Sequence, residues 1–252
     1  MWATFKLVAV IAGLSLPAGL VLIPWTLLSG RIQPMYRVGK WIARTGLRAA
    51  GIHVEESGRE NIPTDRACLF IPNHVSNLDP PIIGPLLPGT PSIMLKASLM
   101  RIPVLGRAWR LARCVPVERE GGREAAVRSA RMAAEVVNSG LSMLIFAEGT
   151  RSPDGRLQPF KAGPFHLAQS TGAPIVPVAI SGTESMMRKG SSRVRPGVAR
   201  VQFLPAIDPA AYPTRSALIA ALRSALAAAL PEAMQPASAV SRGTASAHPR
   251  AT

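Results

Sequence analysis

The chain is short of the residues on which several protein classes depend. Of its 252 residues only two are cysteine, Cys68 and Cys114. That excludes a disulfide-stapled secreted scaffold and a cysteine-based zinc ribbon. Aromatic residues make up 5% and do not interleave with the basic ones, unlike the stacking platforms of single-strand binders. No G-x-S-x-G elbow, Walker A loop or G-x-G-x-x-G turn occurs, so hydrolase, ATP-driven and dinucleotide-driven chemistries have no visible site. The four histidines, His53, His74, His166 and His248, form no H-E-x-x-H pair. Any chemistry must therefore use a few polar groups in an apolar frame. Acids are also scarce: 14 Asp+Glu face 29 Lys+Arg, a net charge of +15. Hydrophobic residues make up 48%, too many for a disordered basic tail. Such a chain calls for an anionic partner, either nucleic acid or an anionic membrane surface.

The apolar excess gathers at the start. From Leu7 to Gly30 there is no charged residue. As a helix at about 1.5 Å per residue this run would reach roughly 36 Å, enough to cross a ~30 Å hydrocarbon layer. Pro17 and Pro24 argue for a kinked span, or a hairpin dipping into one leaflet. A signal peptide and a buried core helix are the competing readings. Next, Arg37, Lys40, Arg44 and Arg48 recur at helical spacing beside Tyr36, Trp41, Ile42 and Leu47. This pattern suits an interfacial helix on anionic headgroups. Its alternative is a solvated face packed on the domain that follows. Positive charge here also predicts a cytoplasmic domain.

From Gly51 short apolar runs alternate with helical patterns. Strands are expected at 52–56, 68–72, 92–95, 114–117, 142–146, 175–180 and 199–204. Helices are expected at 79–87, 104–113, 122–138, 164–171 and 215–230. The alternation predicts an α/β domain, a mixed sheet flanked by helices, with an N-terminal membrane-associated helical segment. The expected division is 1–50 for anchor and basic helix, 51–230 for the domain, and 231–252 for an Ala/Ser/Pro-rich disordered tail.

Two strand-end loops carry the chemistry. In the first, Asn73-His74 precede Asp79. Five residues of regular helix would place His74 and Asp79 about 140° apart. They meet only if the intervening residues turn, which Asn73, Ser76 and Asn77 suit. A carboxylate on one imidazole nitrogen leaves the other free to take a proton; a capping pair or simple loop polars is the plainer reading. The second loop is Glu148-Gly149-Thr150-Arg151-Ser152. Gly149 lets backbone approach a ligand, and Arg151 offers a fork for phosphate. Its plainer reading is a turn with a surface arginine.

Together these motifs resemble the glycerolipid acyltransferase family. Lys96, Leu99, Pro103 and Gly106 are similar to the family's Lys-x-Glu-Leu…Pro…Gly segment. Val115-Pro116-Val117-Glu118-Arg119 resembles its second block, and Pro174-Ile175-Val176-Pro177-Val178 its fourth. Departures are Ala147 for the usual proline, Ser98 for glutamate, and Arg113-Cys114 for smaller residues. The resemblance implies acyl transfer from acyl-CoA or acyl-carrier protein to the sn-2 hydroxyl of 1-acylglycerol-3-phosphate, making phosphatidic acid. It implies no covalent acyl-enzyme and no metal or other cofactor. His74 is the expected general base, oriented by Asp79. Lys96, Arg119, Glu148, Gly149, Thr150 and Arg151 are the expected substrate-binding residues, with backbone N–H groups near the first motif as oxyanion donors. The expected partners are membrane lipids, a lysolipid acceptor and the acyl donor, not nucleic acid. The expected place is the inner membrane, with the catalytic domain on its cytoplasmic side. Alternatives are another acceptor, such as lyso-ornithine lipid, or a non-catalytic lipid-binding module.

Overall fold

The computed structural model describes residues 1–118 and 121–236. All seven strand patterns become strands: β1 (Ile52–Ser57), β2 (Leu69–Pro72), β3 (Ser92–Lys96), β4 (Val115–Val117), β5 (Met143–Leu144), β6 (Ile175–Ser181) and β7 (Gly197–Phe203). They form one mixed sheet in the order β1-β7-β6-β2-β5-β3-β4. β6, β2, β5, β3 and β4 are mutually parallel. β7 runs antiparallel to β6, and β1 parallel to β7. The centre reads as unbroken apolar sequence because both faces are covered: β2 is buried at every position and β6 at all but its last. β7 alternates, with Ala199, Val201 and Phe203 buried and Val198, Arg200 and Gln202 exposed.

Helices close both faces. On one side pack α5 (Gly122–Asn138), α6 (Gly163–Thr171) and α8 (Arg215–Ala229). The α8 seam is Leu218, Leu222 and Leu226, four residues apart and fully buried. On the other side lie α2 (Gln33–Ala49) and α3 (Asp79–Ile83), through Leu47, Ile82 and Ile83. Two short helices, α4 (Leu105–Leu111) and α7 (Thr183–Met186), follow β3 and β6. Cys68 and Cys114 are free and buried, and burial pushes the Cys114 thiol up to about 11. The chain expected to be tail stays attached to the core as far as Pro236. Met234 is buried among core residues and its carbonyl accepts from Leu157 N–H at 2.8 Å. Residues 237–252 lie outside the described residues.

The charge-free run is one continuous helix, α1 (Trp2–Ser29), carried through both prolines. It ends at Gly30, which adopts φ 67° and returns its N–H to the Thr26 carbonyl. α2 then folds back along α1. Hence the hairpin is made by α1 with α2 and not within the apolar run. Leu7 packs against Leu47, Ala50 and Ile52, and Thr4 Oγ1 accepts from Val194 N–H at 2.8 Å. The opposite face of α1 is exposed and apolar along its length, through Phe5, Val8, Leu16, Leu20, Val21, Trp25 and Leu28. α1 is the one helix among the described residues that is long and apolar enough to cross a membrane.

The basic stripe of α2 faces the protein more than was expected. Lys40 Nζ donates to the carbonyls of Leu87 at 2.6 Å and Gly89 at 3.0 Å, and Arg44 to that of Pro85 at 2.9 Å. These carbonyls close the short helical turn after α3, and C-terminal carbonyls need donors. Burial, with Arg44 and Arg59 nearby, lowers the Lys40 pKa. Arg37 and Arg48 remain exposed.

Gly46 sets the closeness of the hairpin, since a Cβ there would lie 2.9 Å from Ile11 Cγ1. Gly46→Leu should lower stability by about 1–3 kcal/mol through overpacking. Limited proteolysis should then cut within α1 while leaving the sheet domain intact; an unchanged digestion pattern would contradict this packing.

Candidate active site

The five mutually parallel strands end on one edge of the sheet, where α/β folds bind ligands. His74 and Asp79 follow β2, Lys96 ends β3, and the Glu148 loop follows β5. Strand topology thus gathers residues far apart in sequence.

The first loop turns as required. Asp79 begins α3, and its Oδ2 lies 2.8 Å from His74 Nδ1. The same oxygen accepts from Val75 N–H and Ser76 N–H, each at 2.8 Å. Asp79 is fully buried, whereas the His74 side chain keeps 12% exposure. An aspartate accepting at Nδ1 places the ring proton there and leaves the Nε2 lone pair available to a substrate. Phe146 covers one face of the imidazole, with ring centroids 4.0 Å apart.

The second loop grips the first. Glu148 Oε1 accepts from His74 N–H at 2.7 Å, and Ser152 N–H donates to the His74 carbonyl at 2.7 Å. His74 is therefore pinned at both backbone groups by the segment after β5. Glu148 Oε2 also accepts from Gln158 N–H at 3.2 Å. Burial pushes the Glu148 carboxyl up to about 8, despite those backbone bonds and the positive charge of Arg223; nearby Asp79 adds to the rise. Gly149 makes the turn at φ 71° and returns its N–H to Phe146.

Two contributors, Thr183 and Lys161, were not singled out from the sequence, and a third, Asn73, was read there only as a turn former. Thr183 Oγ1, fully buried at the start of α7, donates to Asp79 Oδ1 at 2.6 Å. Asn73 Nδ2 donates to the Ile180 carbonyl at 2.9 Å while its Oδ1 accepts from Ile180 N–H at 2.7 Å, stitching the end of β2 to β6. Lys161 donates its backbone N–H to Ala147 and lays its stem over Gly149. The Gly182-Thr183 step after a Pro-containing strand was the available signal. Gly182 has φ 91°, and a Cβ there would sit 2.2 Å from the Val198 carbonyl oxygen, so only glycine fits.

The remaining expected binders are less engaged. Lys96 and Thr150 are exposed. Arg151 is half-buried, and its side chain has no hydrogen bond or ion pair among the described residues. Arg119 lies outside the described residues. Backbone N–H groups near the first motif are the expected oxyanion donors, and three of them, on His74, Val75 and Ser76, are already spent on Glu148 and Asp79. Anchoring both carboxylates took precedence. No cluster of three or more His, Cys, Asp or Glu side chains suited to a metal occurs among the described residues.

Comparison with known proteins meets this geometry at its centre. The sequence model of the acyltransferase family matches residues 53–181, from β1 to the end of β6. The chain belongs to that family. A 1-acyl-sn-glycerol-3-phosphate acyltransferase of Limnanthes alba is 37% identical over 190 residues, covering 75% of this chain and 66% of the relative. The alpha form from Homo sapiens is 31% identical, over 62% of this chain and 56% of its own. The chain thus spans less than two thirds of the length of these curated relatives. The crystal structure of the lysophosphatidic acid acyltransferase PlsC from Thermotoga maritima superposes with a TM-score of 0.75 at 26% identity, covering 89% of this chain and 91% of that one. The likeness to PlsC thus reaches well beyond the segment matched by the acyltransferase family model.

A carboxyl raised from 4.5 to about 8 binds more protons in the folded than in the unfolded chain between those values. Its contribution to stability is therefore full below pH 4.5 and falls as pH rises to about 8, at a slope of up to about 1.4 kcal/mol per unit. In this acyltransferase-family chain, Glu148→Gln has no proton to lose and should lack that slope. It should also be less stable at low pH by about 1 kcal/mol, because its amide cannot accept from Gln158 N–H. Urea melts of both proteins from pH 4 to 9 read this directly; parallel pH profiles would contradict it.

Proposed function

We propose that the chain transfers a fatty acyl group from an acyl thioester to the sn-2 hydroxyl of 1-acylglycerol-3-phosphate, yielding phosphatidic acid. The observation that carries this reading is the fully buried Asp79 on Nδ1 of His74, whose side chain keeps 12% exposure next to the loop that bears Arg151. The names and family of the relatives support it.

In this reading the lysolipid hydroxyl gives its proton to His74 Nε2 as its oxygen attacks the thioester carbonyl carbon. Asp79 holds the ring and stabilises the imidazolium that forms. Collapse of the tetrahedral intermediate breaks the carbon–sulfur bond, and the leaving thiolate recovers the proton from His74. The products are the new ester and a free thiol, on CoA or a carrier protein. No covalent acyl-enzyme and no ATP are needed. With the amides of His74, Val75 and Ser76 occupied, the oxyanion is assigned to Thr150 and Arg151 N–H, which have no acceptor among the described residues. Arg151 and Lys161, with Lys96 further along the edge, are assigned to phosphate.

Such an acceptor resides in a bilayer. The exposed apolar face of α1 is assigned to the cytoplasmic leaflet of the inner membrane, holding the domain on the cytoplasmic side.

Thr183→Val should strand Asp79 Oδ1 without its donor, at a cost of about 1–3 kcal/mol. We expect kcat to fall about tenfold with KM nearly unchanged, and Thr183→Ser to restore it. Equal loss in both variants would assign Thr183 to packing alone.

The purified protein, given acyl-CoA and acyl-carrier protein in turn, should acylate lysophosphatidic acid. His74→Ala should lose about 10²–10⁴-fold. Turnover of lyso-ornithine lipid or another acceptor, with none of lysophosphatidic acid, would overturn the substrate; full activity in His74→Ala would overturn the mechanism.

A further inference from the structure

The acid-free stretch from Ser185 to Ile207 has no part in the chemistry above, yet it builds a second basic site. Its residues Arg193 to Pro196 form one wall of a cleft of about 470 Å³. The other walls are the first turns of α1, with Trp2 and Lys6, and the C-terminal end of α2, from Arg48 to Gly51. Four cations therefore converge: Lys6, Arg48, Arg193 and Arg195. No Asp or Glu lines the cleft. None of the four takes part in an ion pair among the described residues, and none of their side chains donates a hydrogen bond there. Like charges brought together without counter-charge repel one another, and an anion in the cleft would relieve that repulsion.

The frame of the cleft is fixed. Val194, between the two arginines, is buried in the core and its N–H is held by Thr4 Oγ1 at 2.8 Å. Arg195 N–H is held by the Met186 carbonyl at 3.0 Å. The cleft opens beside the exposed apolar face of α1, where Trp2 and Phe5 stack and Lys6 lies 5.4 Å from the Trp2 ring. It shares the sheet edge of the active site, because β7 starts where β6 ends. From β2 across β6 and β7 to β1 is about 14 Å at the usual strand spacing.

The geometry points to a site for an acidic phospholipid of the bilayer, separate from the catalytic loop: its phosphate lies among Lys6, Arg48, Arg193 and Arg195, and its acyl chains run along the outer face of α1. A soluble phosphate would be met by the same charge. The adjoining apolar face is what favours a lipid, since it lets one ligand satisfy both surfaces. This inference rests on the membrane placement of α1 proposed above, and not on the acyl-transfer chemistry.

The test uses the full chain with two charge-matched variants. Arg193→Gln/Arg195→Gln removes half of the cluster; Arg128→Gln/Arg131→Gln removes two exposed cations from α5. Co-sedimentation is measured with phosphatidylcholine vesicles, with and without phosphatidylglycerol. At about 1 kcal/mol per basic residue near an anionic surface, the first variant should bind phosphatidylglycerol vesicles about thirty-fold more weakly. The second should bind like the parent, and neither should change binding to phosphatidylcholine alone. Acyl transfer in detergent micelles should be equal in all three proteins, which separates this outcome from a failure of the proposed activity. Equal loss in both variants would mean diffuse attraction and overturn the site. So would unchanged binding of the first variant. Displacement from vesicles by inorganic phosphate or by CoA would assign the cleft to a soluble phosphate instead, and displacement by duplex DNA to nucleic acid.

Discussion

The 2.8 Å contact between His74 Nδ1 and Asp79 Oδ2 is the constraint on which the site depends. It needs a tight turn between two residues that a helix would separate. Asp79 makes the turn itself, by drawing the N–H groups of Val75 and Ser76 onto the same oxygen that holds the imidazole. Its second oxygen is held by Thr183, more than a hundred residues away in sequence. Glu148 and Ser152 then fix the His74 backbone from the neighbouring strand. A carboxylate so supplied with donors stays in place in a fully buried position, where an unpaired one would be costly. The second carboxylate, Glu148, is left with less support and its pKa rises. Two buried acids thus divide the work: Asp79 faces the imidazole, and Glu148 serves as a backbone clamp.

Much of this was legible from the sequence, for reasons that can be named. Strand runs such as Leu69–Pro72 and Ile175–Ile180 are apolar because they are covered on both faces, and a helix such as Gly122–Asn138 declares itself by spacing. Motif residues sit at strand ends because topology brings those ends to one edge. What stayed hidden depended on long-range partners. Thr183 lies on a four-residue helix with no periodicity to read. Asn73 was visible as a turn former, but its bond to Ile180 needed the β2–β6 pairing. Likewise the stripe of α2 was visible, while the carbonyls of Pro85, Leu87 and Gly89 that claim Lys40 and Arg44 were not. A helical stripe reveals that a face exists, not what it meets.

The charge excess and the apolar excess also separate in space. Part of the charge is internal bracing, as in Lys40 and Arg44. Another part lines the active edge or the cleft beside α1. α1 itself offers one face to the protein and one, wholly apolar, to its surroundings. The His74 loop and the basic cleft therefore lie along one edge of the sheet, and the first turns of α1 wall the cleft.

The most direct test of the account is the protonation pattern of the His74 ring, read by nitrogen-15 NMR of histidine-labelled protein at neutral pH. The account predicts a proton on Nδ1 facing Asp79, read as a strongly deshielded signal, and loss of that signal in Asp79→Asn. A ring carrying its proton on Nε2, with Nδ1 bare, would leave no base facing the substrate and would contradict it.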